Sequence, residues 1–251
     1  MVKNIVLVHG AFADGSSWNK VIRILQRESY HVTAVQQPLT SLEEDVEITR
    51  HILSMQQGPA ILVGHSYGGV IITVAGNEPN VAGLVYVAAY APDAGENIAD
   101  LKAHADPAAG AAHVRSDDKG YLWIECSAYP EFFAGDVDPE EARVMAAVQM
   151  PWKVSSSRIV TPAWRSRPSW YQVSEEDRMI NPELQRMMAK RIGATTLSLK
   201  SSHASAVSHP VEIAELIMTA AKAAGSITSP FTPTMYGVRA IASEGPAGDP
   251  H

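Results

Sequence analysis

The chain has 251 residues, 46% of them hydrophobic and 19% charged, with 20 Lys and Arg against 27 Asp and Glu for a formal net charge of −7. That apolar content excludes a chain disordered throughout and is ample for a buried core. The acidic balance speaks against nucleic acid or an anionic membrane surface as partner.

The single cysteine, Cys126, excludes an intrachain disulfide and reads as a small apolar filler. The N-terminus runs straight into the apolar stretch Asn4–His9, without the basic, long apolar and small-residue regions of a signal peptide. No run of 18 apolar residues suggests a membrane span. The expectation is a soluble cytoplasmic protein.

In chain order, short apolar runs alternate with helical patterns. Strands are predicted at Asn4–His9, His31–Val35, Ala60–Gly64 and Val81–Ala88. Helices are predicted at Trp18–Arg27, at Ser41–Met55 with Ser41 and Glu44 in capping-box positions, and near Gly68–Asn77. The strands are continuous Val/Ile/Leu runs, as expected when both faces of a sheet are covered. Their alternation with helices implies βαβ units, hence an α/β, three-layer αβα architecture on a mostly parallel six-stranded sheet.

The rhythm breaks after Pro92. Residues 92–163 are Ala-rich and irregular, with aromatics at Tyr121, Trp123, Tyr129, Phe132, Phe133 and Trp152 and one clear helix at Pro139–Gln149, capped by Asp138. The alternation then resumes with a strand at Ser169–Val173, a helix at Pro182–Ile192, a strand at Thr195–Leu199 and a helix at Pro210–Ala224. The division is therefore a core of residues 1–91 and 164–224, an insertion at 92–163, and a Gly/Pro-rich tail at 225–251 without periodicity.

Gly64-His65-Ser66-Tyr67-Gly68 is a G-x-S-x-G pattern between an apolar strand and a helix, the context of a nucleophile elbow. The glycines relieve crowding at a strained turn, which pushes the Ser66 hydroxyl into the open near a helix N-terminus. A hydroxyl needs a base at neutral pH, and the base needs a carboxylate to fix its tautomer. In the chain order serine, acid, histidine, both should follow the late strands.

His203, in the loop after Thr195–Leu199, is preferred as base over His209, which precedes the last helix. Asp177, four residues after Val173, is preferred as acid over Glu175, Glu176 and Asp93. His65 is expected to point away from the serine, and His31, His51, His104 and His113 show no partner pattern. Two backbone donors should hold the oxyanion, one from Tyr67 and one from Ala11 or Phe12 in the loop after the first strand. Both sites fall where the strand order should reverse.

Taken together, these residues resemble the α/β-hydrolase superfamily over roughly residues 3–224. The likeness is to its small capped branch of plant methyl-ester esterases, hydroxynitrile lyases and bacterial esterases. It is carried by His9-Gly10-Ala11, Gly64 to Gly69, Glu176-Asp177-Arg178, Ser202-His203-Ala204 and Ser208-His209-Pro210. The resemblance implies that residues 92–163 are a cap over the site. It disfavours the lyases, which carry a lysine after the base where this chain has Ala204 and a threonine where it has Gly10.

The reading is a cofactor-free serine hydrolase of small carboxylic esters. The catalytic residues would be Ser66, His203 and Asp177, and the oxyanion hole Ala11 or Phe12 with Tyr67. The same triad leaves open lactone hydrolysis, perhydrolysis and C–C or cyanohydrin cleavage, and a ligand-binding signalling protein with slow turnover is the alternative of another class. No Walker, dinucleotide or metal-ligand spacing is present, and Asp136-Val137-Asp138 reads as a helix start rather than a calcium loop. The expected partner is a small-molecule ester, with no nucleic acid and no membrane, the chain being a monomer or a homodimer. The aromatics at Trp123, Phe132, Phe133 and Trp152, with Met145 and Met150, would either line an apolar pocket or hold the cap together.

Overall fold

A computed structural model describes residues 1–226. Strand β1 (Asn4–Val8) is followed by a 3-10 turn at Gly15–Trp18, helix α1 (Asn19–Arg27), β2 (His31–Val35), α2 (Leu42–Ser54), β3 (Ala60–His65), α3 (Gly68–Ala75) and β4 (Val81–Val87). After a long excursion come β8 (Ser169–Ser174), α7 (Pro182–Arg191), β9 (Thr195–Leu199), the short α8 (Ser205–Ser208) and α9 (Pro210–Ala224). The six strands form one sheet in the order β2-β1-β3-β4-β8-β9, with every pairing parallel. The order reverses between β1 and β3. The chain ends that follow these two strands therefore open onto a common crevice.

Alternation along each strand sorts its apolar residues between two cores. Ile5 and Leu7 of β1 and Ile61 and Val63 of β3 face one side, where Val21 and Leu25 of α1 and Ile213, Ile217 and Ala221 of α9 cover them. Val6, Val8 and Leu62 face the other side, against Val46 and Leu53 of α2 and Ile71 and Ile72 of α3. Both faces of β1 and β3 are buried, which is why they read as unbroken apolar runs. The edge strands β2 and β9 are more exposed.

Helix α2 begins at Ser41, whose side chain accepts the Glu44 amide at 3.1 Å. The predicted capping box is only half formed, because the Glu44 carboxylate turns to the Thr40 hydroxyl instead of the Ser41 amide. The expected tail lies outside the described residues from 227 onward. Among the described residues no helix is long and apolar enough to cross a membrane.

The excursion between β4 and β8 holds more regular structure than its composition suggests. It contains α4 (Ile98–Lys102), α5 (Tyr129–Phe132), α6 (Pro139–Val148) and an antiparallel sheet of β5 (Val114–Ser116), β6 (Tyr121–Ile124) and β7 (Trp152–Lys153). Gly120, at φ 81°, and the Asp117 side chain, accepting the Tyr121 amide at 2.8 Å, make the turn between β5 and β6. Strands of two to four residues give no readable alternation, so only α6 stands out in the sequence. Cys126 is exposed rather than buried as filler, because it sits on the loop that leaves β6 for α5.

Asp138 caps α6 by accepting the amides of Glu140 and Glu141 at 3.0 and 3.1 Å. Asp138→Ala is expected to lower stability to denaturant by ~1 kcal/mol, with Asp138→Ser retaining most of it. Equal unfolding midpoints for wild type and Asp138→Ala would contradict this.

Candidate active site

Four loops converge at the carboxyl edge of the sheet, following β1, β3, β8 and β9. In the loop after β3, Ser66 adopts a left-handed backbone with φ 54°. The surrounding glycines sit where no side chain fits. A Cβ on Gly64 would lie 2.5 Å from the Gly68 carbonyl oxygen, and one on Gly68 would lie 2.6 Å from that of Val8. A Cβ on Gly69 would overlap the Tyr90 carbonyl, and one on Gly10 would lie 2.7 Å from Ser66 Cβ. The strained turn is pinned on both sides. The Ser66 amide donates to the Val87 carbonyl at 3.2 Å, and the Ser66 carbonyl accepts the amides of Gly69 and Tyr90 at 3.0 and 3.1 Å.

His203 and Asp177 meet in the interior, with Nδ1 of the imidazole 2.7 Å from Asp177 Oδ2. The carboxylate is an acceptor, so Nδ1–H donates to it; in the neutral imidazole the lone pair is then on Nε2. Asp177 is held from three further directions. Its Oδ1 accepts the amides of Met179 and Ile180 at 2.7 and 2.9 Å, and its Oδ2 accepts Gln185 Nε2 at 2.7 Å. The other candidates have different partners. His209 lies 3.4 Å from Asp136 and 3.7 Å from Glu212, while Glu175 pairs with Arg186, Glu176 with Lys200 and Asp93 with Arg165.

His65, the residue before the serine, lies against His203. Its ring centroid is 4.7 Å from that of His203, and its Nε2–H donates to the His203 carbonyl at 2.9 Å. The elbow aims the residue before the serine beneath the turn, into the space under the loop after β9. Trp18 and Phe133 close that space with edge-on contacts to the His65 ring. Burial, and secondarily the neighbouring His203, pulls the His65 pKa well below the usual histidine value.

The loop after β1 is held by polar contacts with a fixed tautomer. His9 Nε2 accepts the Gln37 amide at 2.9 Å, so its Nδ1 carries the proton and donates to the Gly10 carbonyl, also at 2.9 Å. Burial lowers the His9 pKa. Ala11 and Phe12 follow, both buried, with Phe12 at φ 62°. The Phe12 carbonyl accepts the Tyr129 hydroxyl at 2.9 Å.

Tyr67, at the start of α3, donates its hydroxyl to Asp45 Oδ2 at 2.8 Å, and Asp45 Oδ1 accepts the Leu39 amide at 2.8 Å. Burial pushes both the Asp45 carboxyl and the Tyr67 hydroxyl upward in pKa. The Trp152 ring covers both Tyr67 and Phe12, at 4.9 and 5.9 Å between centroids. Among the described residues the amides of Ala11, Phe12 and Tyr67 donate to no backbone acceptor. Of the aromatics singled out in sequence, Tyr129, Phe133 and Trp152 reach this site, whereas Phe132 stacks on His113 and lies under Arg178. Met150 is exposed on the surface.

A sequence profile described as the alpha/beta hydrolase family matches residues 5–216. A pyrethroid hydrolase of Sphingobium wenxiniae is 27% identical over 244 residues, covering 86% of each chain. A carbendazim hydrolyzing esterase of Nocardioides sp. is 32% identical over 118 residues, 41% of this chain and 49% of that protein. The crystal structure of a pyrethroid hydrolase from Sphingobium faniae superposes with a TM-score of 0.76 at 25% identity, covering 90% of this chain and 100% of that one.

His9 and His65 have lowered folded-state pKa values, so they bind fewer protons folded than unfolded. Their contribution to stability is complete above the unfolded value of about 6.5 and is lost as pH falls below it. Each histidine that stays neutral in the fold adds a slope of ~1.4 kcal/mol per pH unit there. The urea midpoint is expected to fall between about pH 7 and pH 5, less steeply in His65→Gln. A midpoint that is constant over this window would overturn the assignment of neutral buried histidines.

Proposed function

The chain belongs to the alpha/beta hydrolase family, and from that premise we propose that it hydrolyses carboxylic esters through an acyl-enzyme on Ser66. The observation that carries this reading is the buried His203–Asp177 pair, 2.7 Å apart, whose loop is joined to the serine elbow by the His65–His203 bond. The relatives named for pyrethroid hydrolysis and for esterase action on carbendazim support ester-type chemistry.

In this mechanism the Ser66 hydroxyl oxygen attacks the ester carbonyl carbon while His203 Nε2 takes its proton. The carbonyl oxygen becomes an oxyanion, held by the Tyr67 amide and by that of Ala11 or Phe12. Asp177 holds His203 in the required tautomer and stabilises the imidazolium. The tetrahedral species collapses, the C–O bond to the alcohol breaks, and the proton on Nε2 passes to the departing oxygen. Water then enters, is deprotonated by Nε2, and attacks the acyl carbon. The second collapse returns the proton to Ser66 and releases the acid.

The amides after β1 and β3 suit the oxyanion role because their loops are fixed before substrate arrives, by the His9–Gly10 and Tyr67–Asp45 bonds. Residues 92–163 act as the cap in this reading. They contribute Trp152 against Phe12 and Phe133 against His203, apolar rings beside the proposed reacting groups. Two residues speak for an ester rather than a cyanohydrin. A side chain at Gly10 would crowd Ser66, and Ala204 offers no cation for cyanide.

The test is nitrophenol release from p-nitrophenyl esters of acetyl to octanoyl length. Wild type is expected to turn over, Ser66→Ala to show no burst or turnover, and Asp177→Asn to lose about 10⁴-fold in kcat through the wrong imidazole tautomer. Equal release by wild type and a folded Ser66→Ala would refute Ser66 as nucleophile. Tight ligand binding with turnover far below ~1 s⁻¹ would instead favour a binding protein.

A further inference from the structure

We propose that Asp136, on the segment between α5 and α6, is a positioning residue for the base, so that the covering segment helps to build the reactive pair beneath it. The inference rests on the hydrolase reading of Ser66 and His203. Its central contact is Asp136 Oδ2, which accepts the amide of Ser202, the residue immediately before His203, at 3.0 Å. The Ser202 hydroxyl donates to the Phe133 carbonyl at 3.3 Å and accepts the Ala204 amide at 3.2 Å. The Phe133 ring meets the His203 ring edge-on, 4.8 Å between centroids at 83°.

Two residues of one segment, Phe133 and Asp136, thus fix the backbone on the N-terminal side of His203 and one wall of its ring. On the C-terminal side the His203 carbonyl is held by His65 from the elbow. The peptide on each side of the base is tied to a different body: one to the segment over the site, the other to the sheet below it.

The same segment also reaches the acid. Glu131 pairs with Arg178, the residue after Asp177, at 2.8 Å, and the Arg178 guanidinium lies 4.2 Å over the Phe132 ring. Residues 131–136 therefore touch the loops of both members of the His203–Asp177 pair. The Glu131 contact is exposed and screened by solvent. The Asp136 contact is different in kind. Its side chain is 22% exposed, and the amide it accepts belongs to a buried residue that would otherwise lack an acceptor.

Asp136 is aimed by its surroundings. The Val137 amide donates to the Ala134 carbonyl, and Asp138 starts α6 two residues later. His209 Nε2 lies 3.4 Å from the same Oδ2. Releasing the Ser202 amide would let the loop after β9 seek another acceptor, moving the His203 imidazole relative to Ser66. Because catalysis depends on sub-ångström placement of that ring, the loss would fall on the chemical step rather than on binding.

The experiment compares Asp136→Ala and Asp136→Asn with wild type, using kcat and KM on the best ester, thermal unfolding, and the low-field proton resonance of the His203 imidazole. Asp136→Ala is expected to lower kcat by roughly 10- to 100-fold with little change in KM, and to broaden or abolish that resonance. Asp136→Asn, which keeps an acceptor oxygen for the Ser202 amide, is expected to restore most of both.

Wild-type kcat and an unchanged resonance in Asp136→Ala would overturn the proposal. So would equal losses in the Ala and Asn variants, which would trace the effect to surface charge. If Asp136→Ala does not fold, Asp136→Glu, with the carboxylate displaced by one methylene, gives the same kcat-against-KM comparison. The imidazole resonance is read without ester turnover, so failure of this inference is distinguishable from failure of the hydrolase reading.

Discussion

A serine in a left-handed turn at the edge of a parallel sheet requires empty space on every side, and four glycines provide it. Gly10, Gly64, Gly68 and Gly69 each occupy a point where a Cβ would collide with backbone or with Ser66 itself. The space they leave is what lets β1, β3 and the chain after β4 approach so closely. The Gly69 position is closed by the Tyr90 carbonyl and the Gly68 position by that of Val8, so the elbow is wedged between its two neighbouring strand ends. The strain at φ 54° persists because bonds from Val87, Gly69 and Tyr90 over-determine the turn.

The remaining parts of the site are fastened to that wedge by buried polar groups rather than by apolar packing alone. His9 links the loop after β1 to the Gln37 amide, and Asp45 links Tyr67 to Leu39. Leu39 in turn accepts the Lys153 amide at 2.9 Å, so the loop after β2 joins the elbow to β7 of the overlying sheet. Trp152, beside Lys153, lies across both Tyr67 and Phe12. Groups such as these are costly to bury unless satisfied, which makes them specific: each has one geometry that works. The loops that carry the Ala11, Phe12 and Tyr67 amides are thereby held in place by the protein itself.

The core is legible in the sequence because its physics is local. Continuous apolar runs such as those of β1 and β3, bounded by turn residues, fit strands covered on both faces. The G-x-S-x-G glycines announce crowding at a strand-to-helix turn. The meeting of His203 with Asp177 is also legible, since both follow late strands and both lie in loops with a short reach.

What escapes is contact between parts far apart along the chain. His65 and His203 are separated by 138 residues. Their contact depends on which way the elbow aims the side chain before the serine, which no periodicity records. Asp45 reads as an ordinary acidic residue in the first turn of α2, and only its burial against Tyr67 reveals its use. The small sheet of β5, β6 and β7 escapes for a different reason: its strands, two to four residues long, span at most two cycles of strand alternation.

A further set of long-range contacts shares a location. Tyr129, Phe133, Asp136 and Trp152 all lie between β4 and β8, and each contacts a loop that carries a candidate site residue. A segment that served only as a roof would meet the core through apolar surface and could be exchanged by volume alone. This one reaches the loop after β1 by a hydroxyl and the loop after β9 by a carboxylate. Both are directional bonds to backbone groups next to Phe12 and His203. Motion of the segment away from the core must break those bonds, and it must release the two loops as it does so. Substitutions that break these two bonds should therefore disturb the loops at Phe12 and His203 even where they leave the volume of the segment unchanged.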